Sequence, residues 1–388
     1  MNRPEIMKLK VAKRGLISPF IVMDMMRAAS VCESKGDKII HMEVGQPSTS
    51  APPPVLHAAH AALDSNHLGY TMALGSEPLR ERISQYYKDC YSLAVPSQRI
   101  VITTGSSGGF ILAFLSSFDA GDRVGLVYPG YPAYRNILKA LDVEPVGIPV
   151  DMRSNFQPTP KILEGIDGGL NGLILASPSN PTGTMVLRNE LRALVQYCKE
   201  QGIRLVSDEI YHGITYENPV CSALEFSDDV IIVNSFSKYF SMTGWRLGWM
   251  VVPEPLLRPI ECLSQNLFIS PPTLSQIAGM AAFDCLNYLD SHVAKYRANR
   301  DLLIDLLPKA GFKTLSRSDG AFYLYADVSH ITNDSKGFCH RCLEETGVAI
   351  TPGIDFDPEK GNQFVRFSFA GPSEDMEIAA RRLIEWKY

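Results

Sequence analysis

The residues able to do chemistry in this chain fall in short clusters, most of them directly after an apolar run. Lys238 lies in Asn234-Ser235-Phe236-Ser237-Lys238, which follows the run 230–234. A lysine flanked by Phe236, Tyr239 and Phe240 can be partly desolvated, and a neutral amine can condense with a carbonyl as an imine. Alone, such a lysine is more often a surface charge. It has company. Ser207-Asp208-Glu209-Ile210-Tyr211 follows the run 203–206, and Ala176-Ser177-Pro178-Ser179-Asn180-Pro181-Thr182-Gly183 closes the run 172–176. Thr104-Gly105-Ser106-Ser107-Gly108-Gly109 follows 100–103 and opens a helical pattern. Gly244-Trp245-Arg246-Leu247-Gly248 comes just after the lysine. Singly, each has a plain structural reading: Asp208 as a helix N-cap, Asn180 as a turn residue, Arg246 as a surface charge. Together they bring an amide, a carboxylate, a phenol, hydroxyls, a lysine and an arginine to one sheet edge, where open α/β sheets bind ligands.

The positioning elements are legible. Short β-branched runs at 100–103, 124–128, 143–150, 172–176, 203–206, 230–234 and 247–252 are continuous rather than alternating, as in strands covered on both faces. Helical patterns at 109–118, 134–141 and 189–200 lie between them. This alternation predicts a three-layer α/β/α domain with a mostly parallel sheet of about seven strands. Beyond about residue 270 the texture changes to a long helical region, 273–307, with few breaks. Strand-like pieces at 321–328 and 364–370 and helices at 336–346 and 374–387 then predict a smaller α+β domain. The expected division is an N-terminal arm with part of the small domain (1–45), a large domain (46–285) and a small C-terminal domain (286–388), with a helix near 280–305 bridging the two domains. The Pro-rich 51–54 marks the entry into the large domain.

The segments SPSNPTG, SDEIY, SFSKYFSMTGWRLGW and VRFSFA, in that order, give the chain a strong resemblance to pyridoxal-phosphate-dependent aminotransferases of class I/II, fold type I, the aspartate aminotransferase superfamily. It extends from Glu43-Val44-Gly45-Gln46-Pro47 to Arg366. The resemblance implies that Lys238 holds pyridoxal 5′-phosphate as an internal aldimine and then shuttles the proton at the substrate Cα. It casts Asp208 as partner of the pyridine nitrogen, where a carboxylate favours the protonated, electron-withdrawing ring. Tyr211 and Asn180 become donors to the ring's phenolic oxygen, and Tyr131 the ring stacked on the cofactor. Ser106, Ser107, Ser235 and Arg246 become the phosphate ligands, the two serines at a helix start that suits a dianion. Arg366 binds the substrate α-carboxylate as a planar fork, with Gly45 nearby. Tyr70 matches a tyrosine that reaches the neighbouring subunit's phosphate, so the active unit is expected to be a homodimer. The implied reaction is ping-pong transfer of an amine from an L-amino acid to a 2-oxo acid, by family habit 2-oxoglutarate or pyruvate. No second cation for a distal carboxylate stands out, which tilts the expected substrate toward neutral amino acids such as alanine, methionine or aromatic ones.

Other readings compete. A β- or γ-eliminating enzyme such as a C–S lyase would share every named residue. A non-catalytic ligand sensor would carry a helix-turn-helix domain, and none is read before residue 40. Gly105-Ser106-Ser107-Gly108-Gly109 also fits the G-x-S-x-G elbow of serine hydrolases, with Ser107 as nucleophile and His292, His330 or His340 as distant bases. Neither a dinucleotide fingerprint nor a P-loop is present. His57, His60 and His67 cluster, and Asp208 and His212 are four apart, but surface or structural histidines are the simpler reading, so no metal is expected.

Composition narrows the class. The 388 residues carry 37 Lys and Arg against 42 Asp and Glu, a net charge of −5. Nucleic acid or anionic membranes are therefore not expected partners. Eight cysteines are too sparse for a disulfide scaffold, and Cys339-His340-Arg341-Cys342 reads as a helix with buried thiols, so a reducing, cytoplasmic setting is expected. The stretch MNRPEIMKLKVAKRG is charged throughout and lacks the apolar core of a secretory signal. The longest uncharged run, 100–118, is too rich in Ser, Thr and Gly to span a membrane.

Overall fold

The computed structural model describes residues 10–65 and 68–388. Residues 1–9 of the amino-terminal stretch, and His67, lie outside the described residues. In chain order, α1 (Ile21–Ser34) precedes β1 (Ile40–His41), α2 (Pro53–Ser65) and α3 (Glu77–Tyr91). The helix α2 opens on Pro53 and Pro54, where a missing N–H costs nothing because the first turn has no intrahelical acceptor. There follow β2 (Ile100–Thr103), α4 (Gly105–Ser117), β3 (Arg123–Tyr128), α5 (Pro132–Ala140), β4 (Glu144–Pro149) and the short α6 (Pro160–Glu164). Next come β5 (Gly172–Ala176), α7 (Arg188–Glu200), β6 (Arg204–Asp208), β7 (Ile231–Ser235) and β8 (Gly248–Val251).

The strands β2 to β8 form one seven-stranded sheet in the spatial order β2-β8-β7-β6-β5-β3-β4, with β8 antiparallel to both neighbours and the remaining pairs parallel. This is the α/β architecture the apolar runs predict. The reason is visible residue by residue. Ile100, Ile102, Leu173, Leu175, Leu205, Ile232, Trp249 and Val251 enter one core. Val101, Ile174, Val206, Ile231, Val233 and Met250 enter another on the opposite face. A period-2 backbone buried on both sides needs an apolar residue at every position.

The expected helical region 273–307 breaks once. The helices α8 (Glu254–Leu267), α9 (Thr273–Ala282) and α10 (Leu286–Leu306) are separate, with Phe283, Asp284 and Cys285 between the last two. The helix α10 contacts the segment after β7 and residues near the carboxyl end. Asp290 accepts from the Tyr239 hydroxyl at 2.6 Å, and Asn299 Nδ2 donates to the carbonyls of Phe369 and Gly371, each at 3.0 Å. The rest comprises β9 (Thr314–Leu315), β10 (Tyr323–Asp327), α11 (Ser335–Thr346), β11 (Val348–Ala349), β12 (Thr351–Pro352), β13 (Phe364–Ser368) and α12 (Ser373–Glu385). An antiparallel sheet β12-β13-β10-β9 forms here, and β1 pairs in parallel with β11.

The start of α1 is held by a residue far along the chain. The Asp355 carboxylate accepts from the backbone N–H groups of Ile21 and Val22, both at 3.1 Å. A carboxylate at a helix N-terminus satisfies free donors and complements the dipole. The segment that precedes β1 is thereby pinned beside the small sheet. Tyr239 and Phe240 lie in the core against Phe236, Trp249 and Phe283, and Trp245 is half-buried. Cys339 and Cys342 are buried and unbridged. Among the described residues no helix is long and apolar enough to cross a membrane.

Candidate active site

Because β2, β3, β5, β6 and β7 all run the same way, their carboxyl ends share one edge, and the entrance to antiparallel β8 joins them. A cavity of about 320 Å³ opens there. Ten of the twelve residues read as candidates line it: Gly45, Ser106, Ser107, Tyr131, Asn180, Asp208, Tyr211, Lys238, Arg246 and Arg366.

Lys238 Nζ donates to the Gly45 carbonyl at 2.6 Å and lies 5.8 Å from the centre of the Tyr211 ring. Burial pushes its pKa down to about 8; Arg366 adds to this and Asp208 opposes it. Asp208, the last residue of β6, is buried. Its Oδ1 accepts from the Ile210 N–H at 3.0 Å, and its Oδ2 from the Tyr134 hydroxyl. Burial raises its pKa to about 6, against the pull of those hydrogen bonds and of Lys238. Among the described residues no cation forms an ion pair with this carboxylate.

A cradle of free N–H groups and one guanidinium sits at the start of α4. Ser106 and Ser107 occupy its first turn, and no side chain caps the helix. Gly105 has φ +70, and a Cβ there would lie 2.5 Å from Arg246 Nη2. Only glycine lets the guanidinium close over the free N–H groups of that turn. Arg246 is itself steadied by Nη1 donating to the Thr243 carbonyl at 3.0 Å.

Arg366 comes from β13, on the smaller sheet. Its Nη1 donates to Asn180 Oδ1 at 2.8 Å, and Nη2 to Thr351 Oγ1 at 3.1 Å and to the Glu43 carbonyl. The guanidinium lies 4.4 Å from the Tyr323 ring centre and 4.8 Å from that of Phe356. Its Nε is buried with no partner among the described residues. Asn180 therefore bridges toward Arg366 as well as facing the cavity.

Two candidates stand apart. Ser235 is buried behind the wall: its Oγ accepts from the Ser237 N–H at 3.0 Å and donates to the Leu247 carbonyl at 3.4 Å. Tyr70 is 83% exposed and does not line the cavity within one chain.

Several lining residues escaped the sequence reading. Tyr134 holds Asp208. Tyr323 pairs hydroxyl to hydroxyl with Tyr211 at 2.7 Å. Ser237 lines the cavity in place of Ser235. Phe20, Val22, Met23, Met26 and Phe356 build an apolar wall from α1 and the segment that caps it. The strand register held one usable signal. With Tyr325 opposite Arg366, Tyr323 stands two positions along on the same face of β10.

The competing readings fare differently. Among the described residues no histidine lines the cavity beside Ser107, so the hydrolase lacks its base. His212 is turned away from Asp208, bonded to the Tyr91 hydroxyl at 2.9 Å and the Ser177 carbonyl at 3.1 Å. No group of three or more potential metal ligands converges among the described residues.

Comparison with known proteins gives this geometry its context. Residues 37–383 match the family model of aminotransferase class I and II. A valine–pyruvate aminotransferase of Mycobacterium tuberculosis is 50% identical over 381 residues, covering 97% of this chain and 98% of that protein. A crystal structure of an aminotransferase from Mycobacterium tuberculosis superposes with a TM-score of 0.96 at 49% identity, covering 98% of this chain and 99% of that one. An aspartate aminotransferase from Thermus thermophilus, solved with maleate, gives 0.91 at 28% identity over 97% and 99%. These relatives favour amine transfer over the elimination chemistry that the same residues could host. The chain belongs to the class I and II aminotransferases, fold type I enzymes that depend on pyridoxal phosphate to move an amino group from an amino acid to a 2-oxo acid.

Proposed function

We propose that this cavity seats pyridoxal 5′-phosphate on Lys238 and that the enzyme transfers the amine of a small neutral L-amino acid to pyruvate or 2-oxoglutarate. The observation that carries the reading is the Asp208 carboxylate, buried without an ion-pair partner among the described residues and facing the same cavity as the Lys238 amine. A lone buried carboxylate is costly, and a protonated pyridine nitrogen is the cation that would relieve it. The Arg246 cradle at α4 suits the phosphate, and Tyr131 supplies an aromatic face. When bound, the cofactor supplies an electron sink for the charge that develops at the substrate Cα. The residues of the chain do the rest. Lys238 offers an amine that is partly neutral near pH 7 and can carry the Cα proton. Asp208 holds positive charge at the ring nitrogen. Tyr211 and Asn180 donate toward the ring oxygen, and Arg366 fixes the substrate carboxylate.

The side-chain preference follows from the wall. Among the described residues the cations lining the cavity are Lys238, Arg246 and Arg366, each already assigned, and the α1 side is apolar. A distal carboxylate there would be desolvated without a partner. The relative at 50% identity, a valine–pyruvate aminotransferase, points to the same class. A half-reaction screen of the amino acids, followed by cofactor absorbance, should show alanine and valine reacting at least about tenfold faster than aspartate, the scale of 1.4 kcal/mol. Aspartate reacting fastest would overturn the preference.

The working unit is proposed to be a homodimer. Tyr70 and Met72 are exposed on a loop tied to α9 through Thr273 Oγ1 donating to the Gly69 carbonyl at 2.6 Å, and Leu267 and Ile269 are exposed nearby. Such an apolar patch suits a second copy. Sedimentation should give a dimer, and Tyr70→Phe should weaken cofactor retention. A fully active monomer contradicts this.

A further inference from the structure

Tyr323 is fully buried on β10, and its hydroxyl lies 2.7 Å from that of Tyr211. Among the described residues neither phenol oxygen has another hydrogen-bond partner. Two hydroxyls sharing one hydrogen bond use one proton between them. The acceptor keeps a second proton free to point elsewhere. The direction of the bond therefore decides which phenol can donate into the cavity.

The surroundings favour one direction. The Arg366 guanidinium lies 4.4 Å from the Tyr323 ring centre, nearer than the Lys238 amine is to the Tyr211 ring centre, at 5.8 Å. A cation against a phenol ring draws charge from its oxygen and makes the O–H a better donor. Burial holds both phenols above their ordinary range, so both keep their protons at neutral pH. Gly45 closes the other side, since a Cβ there would sit 2.1 Å from the Tyr323 oxygen. The same glycine accepts from Lys238 through its carbonyl.

We infer that Tyr323 is a positioning residue that donates its hydroxyl proton to Tyr211 and thereby aims the proton of Tyr211 into the cavity. The inference rests on the proposed seating of the cofactor, with Tyr211 at its ring oxygen. It adds a function for a phenol that touches neither the lysine nor the phosphate cradle, and it links the Arg366 carboxylate site to the group that controls the cofactor–lysine nitrogen. A donor chain polarises along its length, so Tyr211 donates more strongly when Tyr323 stands behind it. Stronger donation to the ring oxygen stabilises the deprotonated cofactor–lysine nitrogen and lowers the pH at which it titrates.

The test is the absorbance of the holoenzyme against pH in the wild type and in Tyr323→Phe, Tyr211→Phe and the double variant. Tyr323→Phe keeps the ring under Arg366 and removes one oxygen, and retention of the cofactor band reports that it is folded. Its titration midpoint should move up by about half to one pH unit, the equivalent of a single neutral hydrogen bond. In the Tyr211→Phe background the same change should move the midpoint no further. An unmoved midpoint in Tyr323→Phe overturns the inference, as does an equal shift with Tyr211 absent. A wild type with no titrating band at all would instead defeat the proposed seating of the cofactor.

Discussion

Lys238→Ala should lose the covalent link to the cofactor and at least about 10⁴-fold of the transamination rate. That is the scale on which enzymes fail when one residue serves as both nucleophile and base. The fold should survive, because Lys238 Nζ makes one hydrogen bond, to the Gly45 carbonyl, and fills no apolar core. Circular dichroism and the thermal midpoint check the fold, and single-turnover absorbance checks the rate. The same assignment predicts a pH dependence. With its pKa near 8, Lys238 should capture cofactor into the apoprotein about tenfold faster per pH unit up to pH 8 and level off above, because the neutral amine is the reactive form. A lysine with an ordinary pKa would keep rising beyond pH 10. A variant transaminating at the wild-type rate would remove Lys238 from the chemistry.

Asp208→Asn should be nearly as damaging through a different step. The amide keeps the shape, its one oxygen can still accept from the Ile210 N–H and its NH2 can donate to the Tyr134 hydroxyl in place of accepting from it, but it carries no charge to hold a protonated ring nitrogen. Removing one partner of a buried pair costs about 3–5 kcal/mol, or about 10²- to 10⁴-fold. The loss should fall on removal of the Cα proton, since the Arg246 cradle that would anchor the phosphate is untouched. A Cα-deuterated amino acid should then show a primary isotope effect on the half-reaction. An Asp208→Asn enzyme with the wild-type half-reaction rate would contradict the assigned role.

Much of this molecule could be read from its amino acids, for identifiable physical reasons. A strand covered on both faces cannot alternate, so runs such as 172–176 and 230–234 declare themselves. Residues just past such runs, Asp208 and Lys238 among them, are placed by the parallel sheet without further information. Arg366 was readable through its motif, although its position over the cavity depends on the smaller sheet. What escaped depends on contacts between distant segments. Tyr323 meets Tyr211 only because β10 and β13 pair in one register. The apolar wall of α1 exists only because Asp355 caps a helix more than three hundred residues earlier in the chain. Ser235 and Ser237 show the finer limit. Two hydroxyls two residues apart satisfied the same motif, and the local turn after β7 sends one inward to Leu247 and the other to the cavity wall.

The account is tested most directly by reducing the cofactor-loaded protein with borohydride, digesting it and mapping the pyridoxyl group. The predicted result is a single stoichiometric label on Lys238, lost when that residue is alanine. A label on another lysine, or none under saturating cofactor, would contradict it.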